Sequence, residues 1–340
     1  MAPIPPLEDV LARAHVVALP LRVRFRGVEV REAVLLDGPA GWAEFSPFTE
    51  YGHAEAAAWL AAALEAGWEG FPAPVRTEVP VNATVPAVAV PGVERVLSSF
   101  DAAHTVKVKV AEAGQSLQDD VGRVAEVRRL LPGAALRIDA NAAWSHEEAL
   151  AALEALAPYG LQYAEQPVAG IDGLARLREE MARRGLDVGI AADESVRKEA
   201  DPLAVARAGA ADLIVVKVPP LGGIRRALAV VQQAGLPAVV SSALDTSVGT
   251  RAGAALAAAL PTLPYACGLG TVSLFAADVA AEPYTARGGL LDLRTVDADP
   301  ELLERHAAPA GRTAWWLNRL RRCHELLVKE AAPGSSPPGH

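Results

Sequence analysis

Cysteine is scarce: the 340 residues contain two, Cys267 and Cys323. Two cysteines this far apart offer neither a disulfide framework nor the clustered spacing of a zinc site, and a cytoplasmic location is expected. Positive charge is also in deficit. Lys and Arg number 32 against 41 Asp and Glu, for a net charge of −9. No basic block or basic–aromatic interleaving offsets that balance, which argues against nucleic acid as a partner. No apolar run is long enough to span a bilayer. The opening MAPIPPLEDVLARAHVV lacks the basic-then-apolar order of a secretory leader, so no membrane partner is expected. What is present in quantity is apolar material, 51% of the chain, enough for one large domain and a smaller one. A small molecule is the partner left by these exclusions. The oligomeric state stays open, a monomer included.

Residues 14–46 read as an antiparallel meander: RAHVVALPLRVRF, VEVREAVLLD, a turn at GPAG, then WAEFSP. GHAEAAAWLAAALEAG (52–67) follows as a helix, so residues 1–78 form an α+β region. From residue 79 the rhythm changes. Short apolar runs at 79–88, 105–110, 135–140, 161–166, 188–194, 212–218, 237–243 and 265–270 alternate with helical stretches such as SLQDDVGRVAEVRRLL and HEEALAALEALA. Eight βα repeats of this size predict an α/β fold, a (β/α)8 barrel over 79–285. The last unit is less regular, so a barrel short by one helix fits as well. RTAWWLNRLRRCHELLVKE returns to helix, and 329–340 are expected to be disordered.

The polar residues of these runs fall in register. The second run carries Lys107 and Lys109 in TVKVKV, the third ends at Asp139, the fourth at Glu165, the fifth at Asp193 and the sixth at Lys217. Each step is one βα unit. An isolated VKVKV is ordinarily a half-buried strand with its lysines in water. Each acid alone could be a loop charge or a helix cap. Five strands in succession, each with charge at its C-terminal end, point instead to the mouth of the barrel, where active sites sit. Three carboxylates converging there would repel one another unless paired. A hard divalent cation such as Mg²⁺, with Mn²⁺ as the alternative, takes oxygen ligands of this kind. Lysines from strands two and six would then flank the acids, and a neighbouring cation favours a neutral amine able to act as base.

The arrangement KVK (107–109), DAN (139–141), EQP (165–167), DES (193–195) and Lys217 resembles the enolase superfamily, and within it the muconate-lactonizing-like subgroup. The resemblance spans nearly the whole chain. It implies a modified barrel with an N-terminal α+β capping domain, completed by a C-terminal segment (286–328) that packs back on the cap. GWAEFSP (41–47) is similar to the cap segment that covers substrate, and VNATVP (81–86) to the first barrel strand. The loop FTEYGH (48–53) is expected to close over the site. By this resemblance Asp139, Glu165 and Asp193 bind the metal, Lys109 is the base, and Lys217 faces the opposite side of the substrate. Lys107, Asn141 and Glu194 adjoin the site. The shared chemistry is removal of a proton α to a carboxylate.

The seventh-strand segment SSALDTSVG (241–249) is similar to the Ser-Ser stretch of the subgroup's dehydrating lyases, and GLGTVSLF (268–275) to their eighth strand. Gly270 stands where an acid is common. The Asp-x-Asp of dipeptide epimerases is absent, and no histidine lies between His146 and His306, which removes a mandelate-racemase-like His–Asp pair. The resemblance therefore implies dehydration of a cyclohexadiene carboxylate bearing a succinyl arm, a step toward menaquinone. Ser241, Ser242 and Gly268 are expected near that arm. The alternatives are an N-succinylamino acid racemase on the same scaffold, a metal-independent Schiff-base lyase, and a non-catalytic metal-binding protein.

Overall fold

The computed structural model describes residues 3–196 and 201–331. Strands β1 (Ala14–Phe25), β2 (Val28–Gly38) and β3 (Gly41–Phe45) form the antiparallel meander, in that order. Arg26 and Gly27 both take positive φ, 50° and 77°, and make the two-residue turn between β1 and β2; paired left-handed residues match the twist of a tight hairpin. The helix His53–Leu64 buries Ala56, Ala57, Trp59 and Leu60 against the rest of the cap. It ends earlier than the sequence pattern predicts, in a widened π-type turn at Glu65–Glu69. Backbone crowding explains that turn. A Cβ on Gly38 would stand 2.1 Å from the Gly67 carbonyl oxygen, so only glycine allows β2 to approach so closely.

The chain then runs through β4 (Glu78–Pro80), β5 (Ala83–Val85), β6 (Thr105–Lys109), β7 (Ala135–Asp139), β8 (Leu161–Glu165), β9 (Gly189–Ala192), β10 (Leu213–Val216), β11 (Ala238–Val240) and β12 (Leu290–Asp292). Strands β5 to β11 form one parallel seven-stranded sheet in sequence order. The first expected run divides in two: β4 leaves the barrel to pair with β12, and β5 alone enters it. Helices fill the crossovers. Two begin with reciprocal capping boxes, Ser116 with Asp119 and Ser145 with Glu148, which satisfy amides at those helix starts.

The eighth run, 265–270, is not a strand. It touches its neighbours through single bridges, Val81 to Cys267 and Ser241 to Gly268. The Gly268 amide donates to Val240 (2.8 Å) and the Asn82 amide to Cys267 (2.9 Å), so the barrel still closes. A short 3-10 turn, Thr271–Leu274, stands where an eighth helix would follow. Two glycines with crowded backbones make this seam irregular. A Cβ on Gly270 would lie 2.6 Å from the Asn82 carbonyl, so the backbone here has no room for an acid or any other side chain.

The C-terminal segment packs against the cap. The Ala308 amide donates to Val16 and the Ala18 amide to His306, both at 2.9 Å. On the helix Ala310–Ala331, the Trp316 indole donates to Glu32 (2.8 Å), and Arg319 donates to the carbonyls of Phe48 (3.0 Å) and Tyr51 (2.7 Å). Lys329 to Ala331, expected with a disordered tail, are the last residues of this helix; the remainder of that tail lies outside the described residues.

Candidate active site

Strand alternation builds the site in layers. Side chains two apart share a face, so the inward residues pair as Arg137 with Asp139, Tyr163 with Glu165, Ala191 with Asp193, and Val215 with Lys217. Below the charged members, Tyr163, Ala191, Leu213, Val215 and Val239 form a separate apolar cluster, and the buried Arg137 guanidinium lies 4.7 Å from the centre of the Tyr163 ring. On this floor stands a layer of charge. Strand β6 is buried at every residue, so Lys107 and Lys109 are not the wet face of an amphipathic strand. They are 6% and 8% exposed, and the three acids 3% or less.

Each acid is closed onto a lysine. Lys107 Nζ donates to both oxygens of Glu165, at 3.0 and 3.1 Å, and lies 3.2 Å from Asp139. Lys109 donates to Asp139 Oδ2 (2.5 Å) and to Asn141 Oδ1 (2.7 Å). Lys217 donates to Asp193. The predicted residues Lys107, Lys109, Asp139, Asn141, Glu165, Asp193, Lys217, Ser241, Ser242 and Gly268 all line one cavity. Glu194 does not line it; it accepts from Asn141 Nδ2 (3.1 Å) behind the wall. The hydroxyls of Ser241 and Ser242 both reach the Gly268 carbonyl, and Ser242 also meets Thr271 at 2.7 Å.

Burial opposes charge on Lys107, Lys109 and the three acids, and the neighbours decide the outcome. At Lys107, Glu165 and Asp139 outweigh burial and hold the ammonium above the ordinary lysine range. At Lys109, burial, assisted by the Lys107 charge, outweighs Asp139 and pulls the amine below it. The Lys109 and Lys107 charges keep Asp139 well below the usual carboxylate range despite burial. Lys217 does the same for Asp193. Glu165 differs: burial and the Asp139 charge push it up to about 8 against the pull of Lys107. Two adjacent lysines with opposite displacements give one permanent cation and one amine disposed to lose its proton.

Among the described residues no trio of His, Cys, Asp or Glu stands in ligating proximity; each of the three acids is paired with a lysine instead. The donor set nevertheless fits a hard divalent cation. It consists of three carboxylates from the ends of adjacent parallel strands, and Glu165 remains under-compensated by positive charge.

The cap supplies wall residues, of which Phe25 and Arg26 were not singled out from the sequence, whereas Phe48 and Tyr51 belong to the 48–53 loop expected over the site. Phe25 and Arg26, at the β1–β2 turn, reach the cavity, and Lys109 Nζ lies 5.3 Å from the centre of the Phe25 ring. From the 48–53 loop, Phe48 and Tyr51 line it as well. The segment 41–47, expected to cover substrate, does not: Trp42, Glu44 and Ser46 line a second, smaller cavity behind the seventh-strand loop. A strand's alternation reveals which face is buried, not which neighbour covers it, so the two cap segments were not separable from sequence. Gln166 was also missed. Its Oε1 accepts from the amides of Asp193 (2.9 Å) and Ser195 (3.1 Å) and so fixes the turn that presents Asp193. Its place directly after Glu165 in EQP was the available signal.

A barrel whose mouth gathers three acids between opposed lysines beneath an α+β cap defines a class, and comparison with known proteins assigns the chain to it. Residues 93–297 match the enolase C-terminal domain-like model, and residues 16–67 the enolase N-terminal domain-like model. The muconate lactonizing enzyme of Pseudomonas putida superposes with a TM-score of 0.73 at 20% identity, over 87% of this chain and 98% of that one. The 2-chloromuconate cycloisomerase of Rhodococcus opacus superposes equally well, also 0.73, at 25% identity and the same coverage. The chain belongs to the enolase superfamily. Within it, the chain is similar to curated o-succinylbenzoate synthases. That of Mycolicibacterium smegmatis is 54% identical over 325 residues, 95% of this chain and 99% of the relative. That of Mycobacterium leprae is 52% identical over 326 residues, 96% and 95%.

Proposed function

We infer that this chain is an o-succinylbenzoate synthase, a lyase that removes water from a cyclohexadiene carboxylate bearing a succinyl arm and leaves the aromatic o-succinylbenzoate, a step toward menaquinone. The observation that supports the reading best is the pair of cavity-lining lysines on non-adjacent strands, Lys109, buried on β6, and Lys217, half-buried after β10, with the three acid-bearing strands between them.

In the mechanism we propose, Lys109 acts as neutral base. It takes the proton α to the carboxylate, and the electron pair of that C–H bond enters the enediolate. The pair then forms the new ring double bond as the C–O bond to the β-hydroxyl breaks. The Lys109 ammonium returns its proton to the departing hydroxide on the same face, so one group balances both steps and water leaves. Lys107 stays charged and lowers the proton affinity of its neighbour. Lys217, on the other face, stabilises the anion through charge and a cation–π contact with the ring. Ser241 and Ser242, with backbone groups near Gly268, hold the succinyl end. Asn141 and Glu194 orient Lys109 through the bond to Asn141 Oδ1. The superfamily's members depend on a divalent metal. Asp139, Glu165 and Asp193 would hold it, here Mg²⁺, and when bound it would neutralise the enediolate and relieve Lys109 of its pairing with Asp139.

The test is the loss of diene absorbance with purified protein, with Mg²⁺ and with EDTA, alongside Lys109→Ala. Rapid loss that yields o-succinylbenzoate and stops with EDTA or the substitution is expected. No turnover by folded, Mg²⁺-supplied protein would sink the reading, and succinylated amino acids would then be assayed for racemisation.

A further inference from the structure

Beside the smaller cavity behind the seventh-strand loop lies a buried polar cluster that the mechanism leaves unused; Glu44, Ser46 and Asp245 of it line that cavity. Arg31, 4% exposed, projects from cap strand β2. Its Nε donates to the Leu244 carbonyl (3.0 Å) and its Nη2 reaches the Ala243 carbonyl (3.3 Å). The same nitrogen donates to the Ser46 carbonyl and hydroxyl, and the guanidinium stacks 4.5 Å from the centre of the Phe48 ring. Glu44, from β3, grips the same loop from the other side. Its Oε2 accepts from the Thr246 amide (3.0 Å), the Thr246 hydroxyl (2.6 Å) and the Gly249 amide (3.2 Å), while Ser46 donates to Oε1 at 2.5 Å.

The gripped segment overlaps the stretch that faces substrate: Ser241, Ser242, Ala243 and Leu244 line the main cavity, and Arg31 holds the last two by their carbonyls. Leu244 is in the left-handed region at φ 62°, a conformation a leucine keeps only where its surroundings impose it. The Arg31 bond to its carbonyl is such an imposition, and Asp245 adds another by accepting from the Ala243 amide at 3.1 Å. Room has been left for the acid as well. A Cβ on Gly249 would lie 2.5 Å from Glu44 Oε2 and 2.8 Å from the Asp245 Cβ, so the glycine keeps the grip open.

We propose that Arg31 and Glu44 form a cap-borne clamp that holds residues 243–246, directly after Ser241 and Ser242, in their substrate-binding shape, so that the cap sets the affinity for the succinyl arm through groups that never touch it. Both are positioning residues. The proposal rests on the site's assignment as that of an o-succinylbenzoate synthase. Arg31 reaches the barrel loop through two carbonyls and the cap loop through Ser46 and Phe48, so it also couples the two walls of the cavity.

The experiment compares wild type, Arg31→Lys and Gly249→Ala in steady-state dehydration and in amide hydrogen exchange of residues 243–246. Lysine keeps the charge and loses the fork. Alanine displaces Glu44 without removing it, in a helix where alanine is the better helix former, so this variant serves even if Arg31→Lys does not fold. Expected for each is a KM about tenfold higher with kcat within about threefold, together with about tenfold faster exchange in the segment. Unchanged KM and exchange in folded Gly249→Ala would overturn the clamp, as would a fall in kcat at constant KM. Should wild type not turn over the diene, the functional assignment fails and the exchange result alone decides the clamp.

Discussion

Two polar layers share the barrel interior and are built on opposite plans. The lower holds a single cation, Arg137, 1% exposed, surrounded by neutral acceptors. Its Nε donates to Gln162 (2.8 Å), its Nη1 to the Ala266 carbonyl (2.7 Å) and to Asn82 (3.2 Å), and it stacks on Tyr163 at 4.7 Å. The upper holds Lys107, Lys109, Lys217 and three acids, all charge against charge. Arg137 and Asp139 are two residues apart on β7, so one strand serves both layers. A buried charge solvated by fixed dipoles has one arrangement and acts as a strut across the barrel seam. A buried set of opposite charges can be re-paired, and that freedom is what a proton-transfer site needs.

The sharpest way to break this comparison is to remove one charge from each layer. Lys109→Ala is expected to lower kcat by about 10³- to 10⁴-fold, the range for loss of a general base, with the thermal midpoint nearly kept. In wild type the acidic limb of kcat/KM should fall below the ordinary lysine value, because burial lowers the Lys109 pKa and the active base gains as pH rises. Arg137→Met should do the reverse. It strands the Asn82, Gln162 and Ala266 acceptors and is expected to destabilise the fold by about 3 kcal/mol, while the molecules that remain folded keep their kcat. A matching fall in kcat for both variants would erase the distinction between the layers.

Smaller effects sharpen it. Lys217→Ala removes charge from one face only and is expected to lower kcat by about 10- to 100-fold, less than Lys109→Ala, since no proton passes through it in the dehydration. Equal losses for the two lysines would favour a two-base racemase. The smallest effect lies outside both layers. Burial and the Glu44 charge push Asp245 up to about 7. A carboxyl raised in the folded state contributes stability at low pH that is lost as pH climbs through that value. Relative to wild type, Asp245→Asn should therefore gain thermal midpoint toward pH 8, on the order of a few degrees. An unchanged difference between pH 5 and pH 8 would count against the raised carboxyl.

The upper layer was legible from sequence because its residues recur one βα unit apart, each where an apolar run ends. Asp139, Glu165, Asp193 and Lys217 needed no contact information to be aligned. The eighth strand was not legible in detail. YACGLG reads as an apolar run, yet its glycines are there for backbone approach to Asn82 and Ser241, and crowding of that kind has no periodicity. The clamp was hidden for a related reason. Arg31, Glu44 and Asp245 come from three segments, and each looks like an ordinary polar residue beside a strand or turn. Phe25 and Arg26 were hidden because a hairpin turn announces its geometry but not what it leans on.

The closing contacts of this fold also bear on how it is made. The barrel seam joins Val81 to Cys267, and the cap is finished by Trp316 and Arg319 binding Glu32, Phe48 and Tyr51. Contacts of such long sequence separation form late, since the intervening loop entropy must be overcome first. On the ribosome, the cap strands emerge well before the helix Ala310–Ala331 that packs against them, and the cap is incomplete until that helix arrives. Until then the cap strands expose apolar surface and unpaired edges, the features that make an unfinished chain prone to aggregate.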